Sequence, residues 1–134
     1  MTPPQYLFVY GTLRRNRHKQ NHPFLIACDY LSSAFMCGEL YDIDGYPGAI
    51  ARGTALVKGE LYLLQTPETT LSVLDNYEEC AEHFPQPQEY IRCEIPVRPS
   101  DGNTISAWVY LYNRPLNGLM RIHDGDYLNY LREE

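Results

Sequence analysis

Close to the N-terminus an apolar run, Leu7-Phe8-Val9-Tyr10, meets a glycine and turns polar as Gly11-Thr12-Leu13-Arg14. Such a run reads as a buried strand, because aromatic and branched side chains fit a pleated surface covered on both sides. Gly11 marks the point where that strand must bend or let another group reach its backbone. Beyond it the amides of Thr12, Leu13 and Arg14 have no evident ladder partner, and successive N–H donors at a turn form a concave site for an anion. Arg14 adds a permanent cation beside them. The expectation is a loop that grips a carboxylate or phosphate at the end of a rigid strand. The plainer reading is a strand that ends in Gly-Thr and simply turns.

A chain of 134 residues is long enough for one domain with a real core, and residues 1–134 show no linker or second domain. Tyrosine is over-used, with twelve against four Phe and one Trp, which suits half-buried strands around a polar-lined cavity. A net charge of −6 argues against nucleic acid as a partner, since its backbone would be repelled unless a basic patch were hidden locally. The one basic cluster, Arg14 to Lys19, is short and falls in a loop, where it is either solvated or attracts an anion to the Gly11 turn. No secretory leader or membrane span is visible. Cys28, Cys37, Cys80 and Cys93 lack any C-x-x-C spacing, so neither a metal nor a redox dithiol is indicated, and free thiols in the cytoplasm are expected. His18, His22 and His123 sit singly and read as surface residues.

Along the chain, His22 to Leu31 carries a short helical pattern. Ala34 to Ile43 reads as a strand, followed by a tight turn at Asp44-Gly45-Tyr46-Pro47-Gly48. Ala55 to Leu64 is another strand, and it repeats Gly38-Glu39-Leu40-Tyr41 as Gly59-Glu60-Leu61-Tyr62, as if two barrel strands used glycine to relieve crowding. Tyr90 to Val97 and Thr104 to Tyr112 form a hairpin across Ser100-Asp101-Gly102-Asn103. On the second of these strands Ile105, Ala107, Val109 and Leu111 alternate with Ser106, Trp108, Tyr110 and Tyr112, so both faces are expected to be covered. Asp124 to Arg132 closes the chain as a short helix.

Thr66-Pro67-Glu68 is a helix start, with a capping hydroxyl, a proline at the first position and an acid at the positive end. Run to about Cys80, the helix gathers Leu71, Val73, Leu74 and Tyr77 on one arc and places Glu78 between Leu71 and Leu74. Glu79 falls on the wet side. A carboxylate on an apolar face must snorkel, pair with a cation or stay buried with a raised pKa; the alternative is a frayed last turn that leaves it in water. Between this helix and the next strand, Ala81 to Glu89 is a proline-interrupted loop.

Tyr10-Gly11-Thr12-Leu13-Arg14, Gly45-Tyr46-Pro47-Gly48, Val57-Lys58-Gly59-Glu60-Leu61-Tyr62, Leu74-Asp75-Asn76-Tyr77-Glu78, Tyr90-Ile91-Arg92 and Ala107-Trp108-Val109-Tyr110 follow one another here. In that order they resemble the γ-glutamylcyclotransferase-like family, which includes γ-glutamylamine cyclotransferase and the avirulence-induced-gene-like proteins. The resemblance implies an α+β fold: a small, partly closed β-barrel of mixed strands flanked by a few short helices, with a cavity at one end. It further implies that the backbone of Gly11, Thr12 and Leu13, within the Tyr10–Arg14 motif, holds a γ-glutamyl group. Glu78 falls on the catalytic acid/base position, and Tyr90 and Tyr110 on the cavity wall.

The expected chemistry is cyclisation of a γ-glutamyl amide or peptide to 5-oxoproline with release of an amine. Because ring closure is intramolecular, holding the chain folded supplies much of the acceleration and no cofactor is needed. The base must deprotonate the attacking α-amine, which calls for a carboxylate whose pKa burial has lifted towards 7. The alternatives are a non-catalytic protein that binds a γ-glutamyl or other small carboxylate ligand, and a cysteine route with Cys80 as nucleophile and His83 as base.

Overall fold

In the computed structural model, which describes residues 3–16, 18–78 and 88–132, strand β1 (Gln5–Val9) is paired on both edges. It runs antiparallel to β5 (Leu56–Leu64), from Gln5↔Leu64 to Val9↔Glu60, and parallel to β7 (Ile105–Tyr112) at Leu7↔Trp108. Two further strands, β2 (Cys28–Cys37) and β6 (Tyr90–Pro99), complete a closed barrel in the order β1-β5-β2-β6-β7. Closure leaves no free edge, and the β6–β7 hairpin turns at Ser100 to Asn103 as expected.

The period of two along each strand sorts its side chains between two cores. Phe8 and Tyr10, Val57 and Leu61, and Ala107, Val109 and Leu111 point into the barrel. Leu7 and Val9, Tyr62 and Leu64, and Tyr110 point outward into a second buried cluster with Leu71 and Leu74 of helix α1 (Pro67–Tyr77). Both faces of β7 are thus covered, aliphatic inside and aromatic outside. Gly59 has a packing reason: a Cβ there would lie 2.3 Å from the Val9 carbonyl and 2.6 Å from the Phe8 ring.

A second sheet caps one end. Strands β3 (Glu39–Asp42), β4 (Pro47–Ile50) and β8 (Met120–Ile122) pair antiparallel in the order β4-β3-β8. Leu40, Ala49 and Ile122, with Tyr127 of helix α2 (Tyr127–Arg132), extend the interior core.

Several sequence expectations are corrected here. The helix expected over His22–Leu31 is only a 3₁₀ turn at Pro23–Leu25, because the chain pairs with β5 from Cys28↔Leu64 onward and sheet formation overrides a weak helical pattern. A register shift between Tyr30 and Ser32 leaves Leu31 exposed. The strand expected over Ala34–Ile43 is broken at Gly38, so the first Gly-Glu-Leu-Tyr copy leads into the capping sheet and only the second lies in the barrel. On α1 the buried stripe is Thr70, Leu71 and Leu74, whereas Val73 and Tyr77 are exposed: the helix lies on the barrel along a narrow line. Thr66 makes no side-chain cap. Glu79, Cys80 and His83, and the expected loop as far as residue 87, lie outside the described residues. No helix among the described residues is long and apolar enough to cross a membrane.

Candidate active site

Where β1 ends, the chain bends at Gly11 and a cavity of about 330 Å³ opens beside it. The Gly11–Leu13 turn forms one wall, Tyr46 and Pro47 another, and Tyr77 and Glu78 at the end of α1 a third. Tyr10, Tyr90 and Tyr110 line the space between them, with Glu89 at the approach to β6.

The turn is set by two hydrogen bonds. The Arg14 amide donates to the Gly11 carbonyl at 3.1 Å, and the Arg15 amide to the buried carboxylate of Glu60 at 2.8 Å. Of the three donors expected after Gly11, that of Arg14 is therefore used, while the amides of Gly11, Thr12 and Leu13 donate to no described residue. Leu13 buries its side chain in the cluster below α1 and pins the turn. Gly11 does not need a left-handed φ; its requirement is space, since a Cβ would stand 2.4 Å from Cγ of Pro47.

Arg14 does not line the cavity, contrary to its expected place beside an anion. Its side chain is 8% exposed and pairs through Nη1 with Asp126 at 3.0 Å, with Nε 3.7 Å from Glu60. Two carboxylates hold the cation on the far side of the turn. Arg15 is likewise turned away, with its guanidinium 3.4 Å above the Tyr30 ring.

Glu78 caps the C-terminal end of α1, its amide bonded to the Leu74 carbonyl at 2.8 Å. The residue is half-buried and its carboxylate meets no hydrogen-bond donor or cation among the described residues. Burial, and after it the charge of Glu89, push its pKa up to about 7. Glu89 is itself held, its Oε2 accepting from the Tyr46 hydroxyl at 2.9 Å and from Arg114 Nη1 at 3.1 Å. Burial and the Glu89 contact drive the Tyr46 phenol up to about 12.

The expected tyrosines line the cavity and spend their hydroxyls on the protein. Tyr10 donates to the Tyr110 carbonyl at 2.6 Å and accepts from the Ala49 amide, Tyr90 donates to the Pro47 carbonyl at 2.6 Å, and Tyr110 donates to Asp75 Oδ1 at 2.7 Å. Burial raises the phenol pKa of Tyr10 and Tyr90 far above the ordinary value, so both stay neutral. Sequence reasoning missed Glu60, Pro47, Glu89 and Tyr46 as parts of this site. Glu60 stood out as a member of the repeated tetrapeptide and Tyr46-Pro47 as a turn, both also within the motifs of the family resemblance, but none of them was given a place in the site.

Fold and cavity define a small closed-barrel protein with a pocket lined by both the Gly11–Leu13 turn and the desolvated Glu78. The chain belongs to the family described as γ-glutamyl cyclotransferase, AIG2-like, which matches residues 7–129. The γ-glutamylcyclotransferase family protein YtfP of Escherichia coli K12 is 34% identical over 125 residues, covering 92% of this chain and 96% of YtfP. The solution structure of E. coli ytfP superposes with a TM-score of 0.65 at 32% identity, over 97% of this chain and 100% of that one. YkqA of Bacillus subtilis shares the fold at a TM-score of 0.72 and 24% identity; 98% of this chain is covered, which spans only 42% of YkqA. An AIG2-like protein of Mus musculus shares it at 0.63 and 22% identity, over 85% of this chain and 82% of that one.

Proposed function

We propose that the protein is a cyclotransferase that converts a γ-glutamyl amide or peptide to 5-oxoproline and a free amine, with Glu78 as general acid/base. The observation that carries this reading is the Glu78 carboxylate, with no cation or donor among the described residues and a pKa near 7, in one cavity with the open amides of Gly11, Thr12 and Leu13. In the proposed reaction those amides hold an anionic oxygen of the substrate. Glu78 takes a proton from the substrate's α-ammonium, the α-nitrogen attacks the γ-carbonyl carbon, and a tetrahedral centre forms. The protonated Glu78 then gives its proton to the departing nitrogen as the old amide bond breaks, and the surplus proton on the new ring nitrogen returns to the Glu78 carboxylate and passes to the released amine, which leaves as an ammonium ion. One C–N bond is made and one is lost, and no water or cofactor enters. The rings of Tyr10, Tyr90 and Tyr110 keep bulk water out and so sustain the raised pKa of Glu78. The free thiols of Cys28, Cys37 and Cys93 support a cytoplasmic setting.

The test is incubation with a panel of γ-glutamyl amines, γ-glutamyl dipeptides and glutathione, with 5-oxoproline measured against glutamate. Formation of 5-oxoproline from at least one member is expected. Glutamate release in its place would mean hydrolysis, and saturable binding without product would mean a ligand-binding protein.

A further inference from the structure

Among the described residues, helix α1 lacks the usual means of fixing its C-terminal end. Its last turn carries no basic residue, and the C-cap position is Glu78, not a glycine in the left-handed region. An end of this kind frays unless tertiary contacts hold it. The contacts are present one turn before Glu78. Asp75 Oδ1 accepts from the Tyr110 hydroxyl at 2.7 Å and from Arg92 Nε at 2.8 Å, and Oδ2 accepts from Arg92 Nη2 at 3.1 Å. The Tyr110 hydroxyl also lies 3.4 Å from the Leu71 carbonyl, so it touches the helix at two successive turns. Arg92 is stacked over Trp108 at 4.6 Å, and Trp108 Nε1 donates to Gln5 at 2.9 Å, which ties the cluster to β6, β7 and β1. Asp75 and Glu78 are three residues apart and share a helix face.

We propose that Tyr110, with Asp75 and Arg92, is a positioning residue that fixes Glu78 in the cavity, and that its hydroxyl is not a substrate ligand. The proposal rests on the reading of Glu78 as the acid/base. Tyr110 borders the cavity, yet its hydroxyl is committed to the helix anchor, the opposite of what a substrate-binding phenol would do. Loss of the anchor lets the last turn loosen, and Glu78 moves towards water. Among the described residues, the other ionisable groups lining the cavity with Glu78 are Glu89, Tyr90, Tyr10, Tyr46 and Tyr77; of these Tyr10 donates to the Tyr110 backbone carbonyl, a bond that Tyr110→Phe leaves in place.

The experiment is a pH titration of the Glu78 side-chain carboxyl by ¹³C NMR on the ligand-free protein, for wild type, Tyr110→Phe, Asp75→Asn and the double variant. Tyr110→Phe should lower the Glu78 midpoint by about one pH unit or more, as its burial is relaxed. Turnover should fall by roughly tenfold to a hundredfold with KM little changed, the pattern of a misplaced catalytic group. Asp75→Asn should move the midpoint the same way, and the double variant should be no worse than the stronger single. A midpoint equal to wild type in both singles, or a raised KM with the midpoint unmoved, would overturn the proposal. If the wild type turns over no γ-glutamyl compound, the cyclotransferase reading fails on its own, while the midpoints still decide whether Tyr110 positions Glu78.

Discussion

The buried carboxylate of Glu60 on β5 accepts the Arg15 amide at 2.8 Å, and this bond decides which amides of the Gly11 turn stay open. With the Arg14 amide closing the turn onto Gly11 and that of Arg15 committed to Glu60, the amides that donate to no described residue are those of Gly11, Thr12 and Leu13. Glu60 also accepts from the Tyr62 hydroxyl at 3.0 Å and faces Arg14. A side chain remote from the proposed chemistry thus shapes the Gly11 end of the pocket.

Glu60→Ala should therefore destabilise the fold by about 3 kcal/mol, the lower end of the cost of stripping one partner from a buried ion pair. Glu60→Gln, which keeps an acceptor for Arg15 and Tyr62, should lose less. Urea unfolding at neutral pH measures both, and equal stabilities for wild type and Glu60→Ala would show that the turn holds itself.

Gly11→Ala tests the cavity wall. Its backbone conformation is open to alanine, so the effect is steric: a Cβ at 2.4 Å from Pro47 must displace β4 or the turn. Overpacking of this kind costs roughly 1–3 kcal/mol and misplaces the amides. We expect 5-oxoproline binding, followed by calorimetric titration, to weaken at least about tenfold, the equivalent of ~1.4 kcal/mol, with the fold retained. Unchanged affinity would remove the turn from the binding site.

What was legible in the sequence was local. A strand running into Gly11 announces its own turn, and helical arithmetic alone places Glu78 on the face of Leu71 and Leu74. The direction of Arg14 was not legible, because it is set by Glu60 on β5 and Asp126 near the C-terminus, neither of which is near it in sequence. The same holds for Pro47, whose meeting with Gly11 follows from β4 pairing with β3. Strands of three and four residues, such as β8 and β4, are too short to show a period, so the capping sheet stayed hidden. The start of β2 was misread because pairing with β5, and not its own pattern, makes it a strand.

Cys80→Ser separates the two nucleophilic routes. In cyclisation the attacking nitrogen belongs to the substrate, so removing the thiol should leave 5-oxoproline formation within about twofold of wild type. A loss of the ~10²–10⁴-fold scale associated with a catalytic group would transfer the chemistry to cysteine.

Glu78→Gln carries the sharpest expectation, because it changes rate and stability in opposite directions. The amide keeps the shape of the side chain and removes the base, so turnover should fall by ~10²–10⁴-fold while 5-oxoproline still binds. In the wild type, activity should rise with pH through an acid limb near 7, where Glu78 ionises. The stability argument follows from the same value. In the unfolded chain a glutamate ionises at about 4.3, whereas folded Glu78 holds its proton to about 7. Between those limits the folded state binds more protons than the unfolded one, so raising the pH favours unfolding, by up to about 4 kcal/mol at roughly 1.4 kcal/mol per pH unit. This loss is complete above pH 7 and absent below pH 4. Glutamine does not titrate, so the variant should lack this decline and gain on the wild type as pH rises from 4.5 to 8. Urea unfolding across that range measures the difference; parallel curves for the two proteins would mean that Glu78 ionises as an ordinary surface carboxylate, and the acid/base assignment would fall with it.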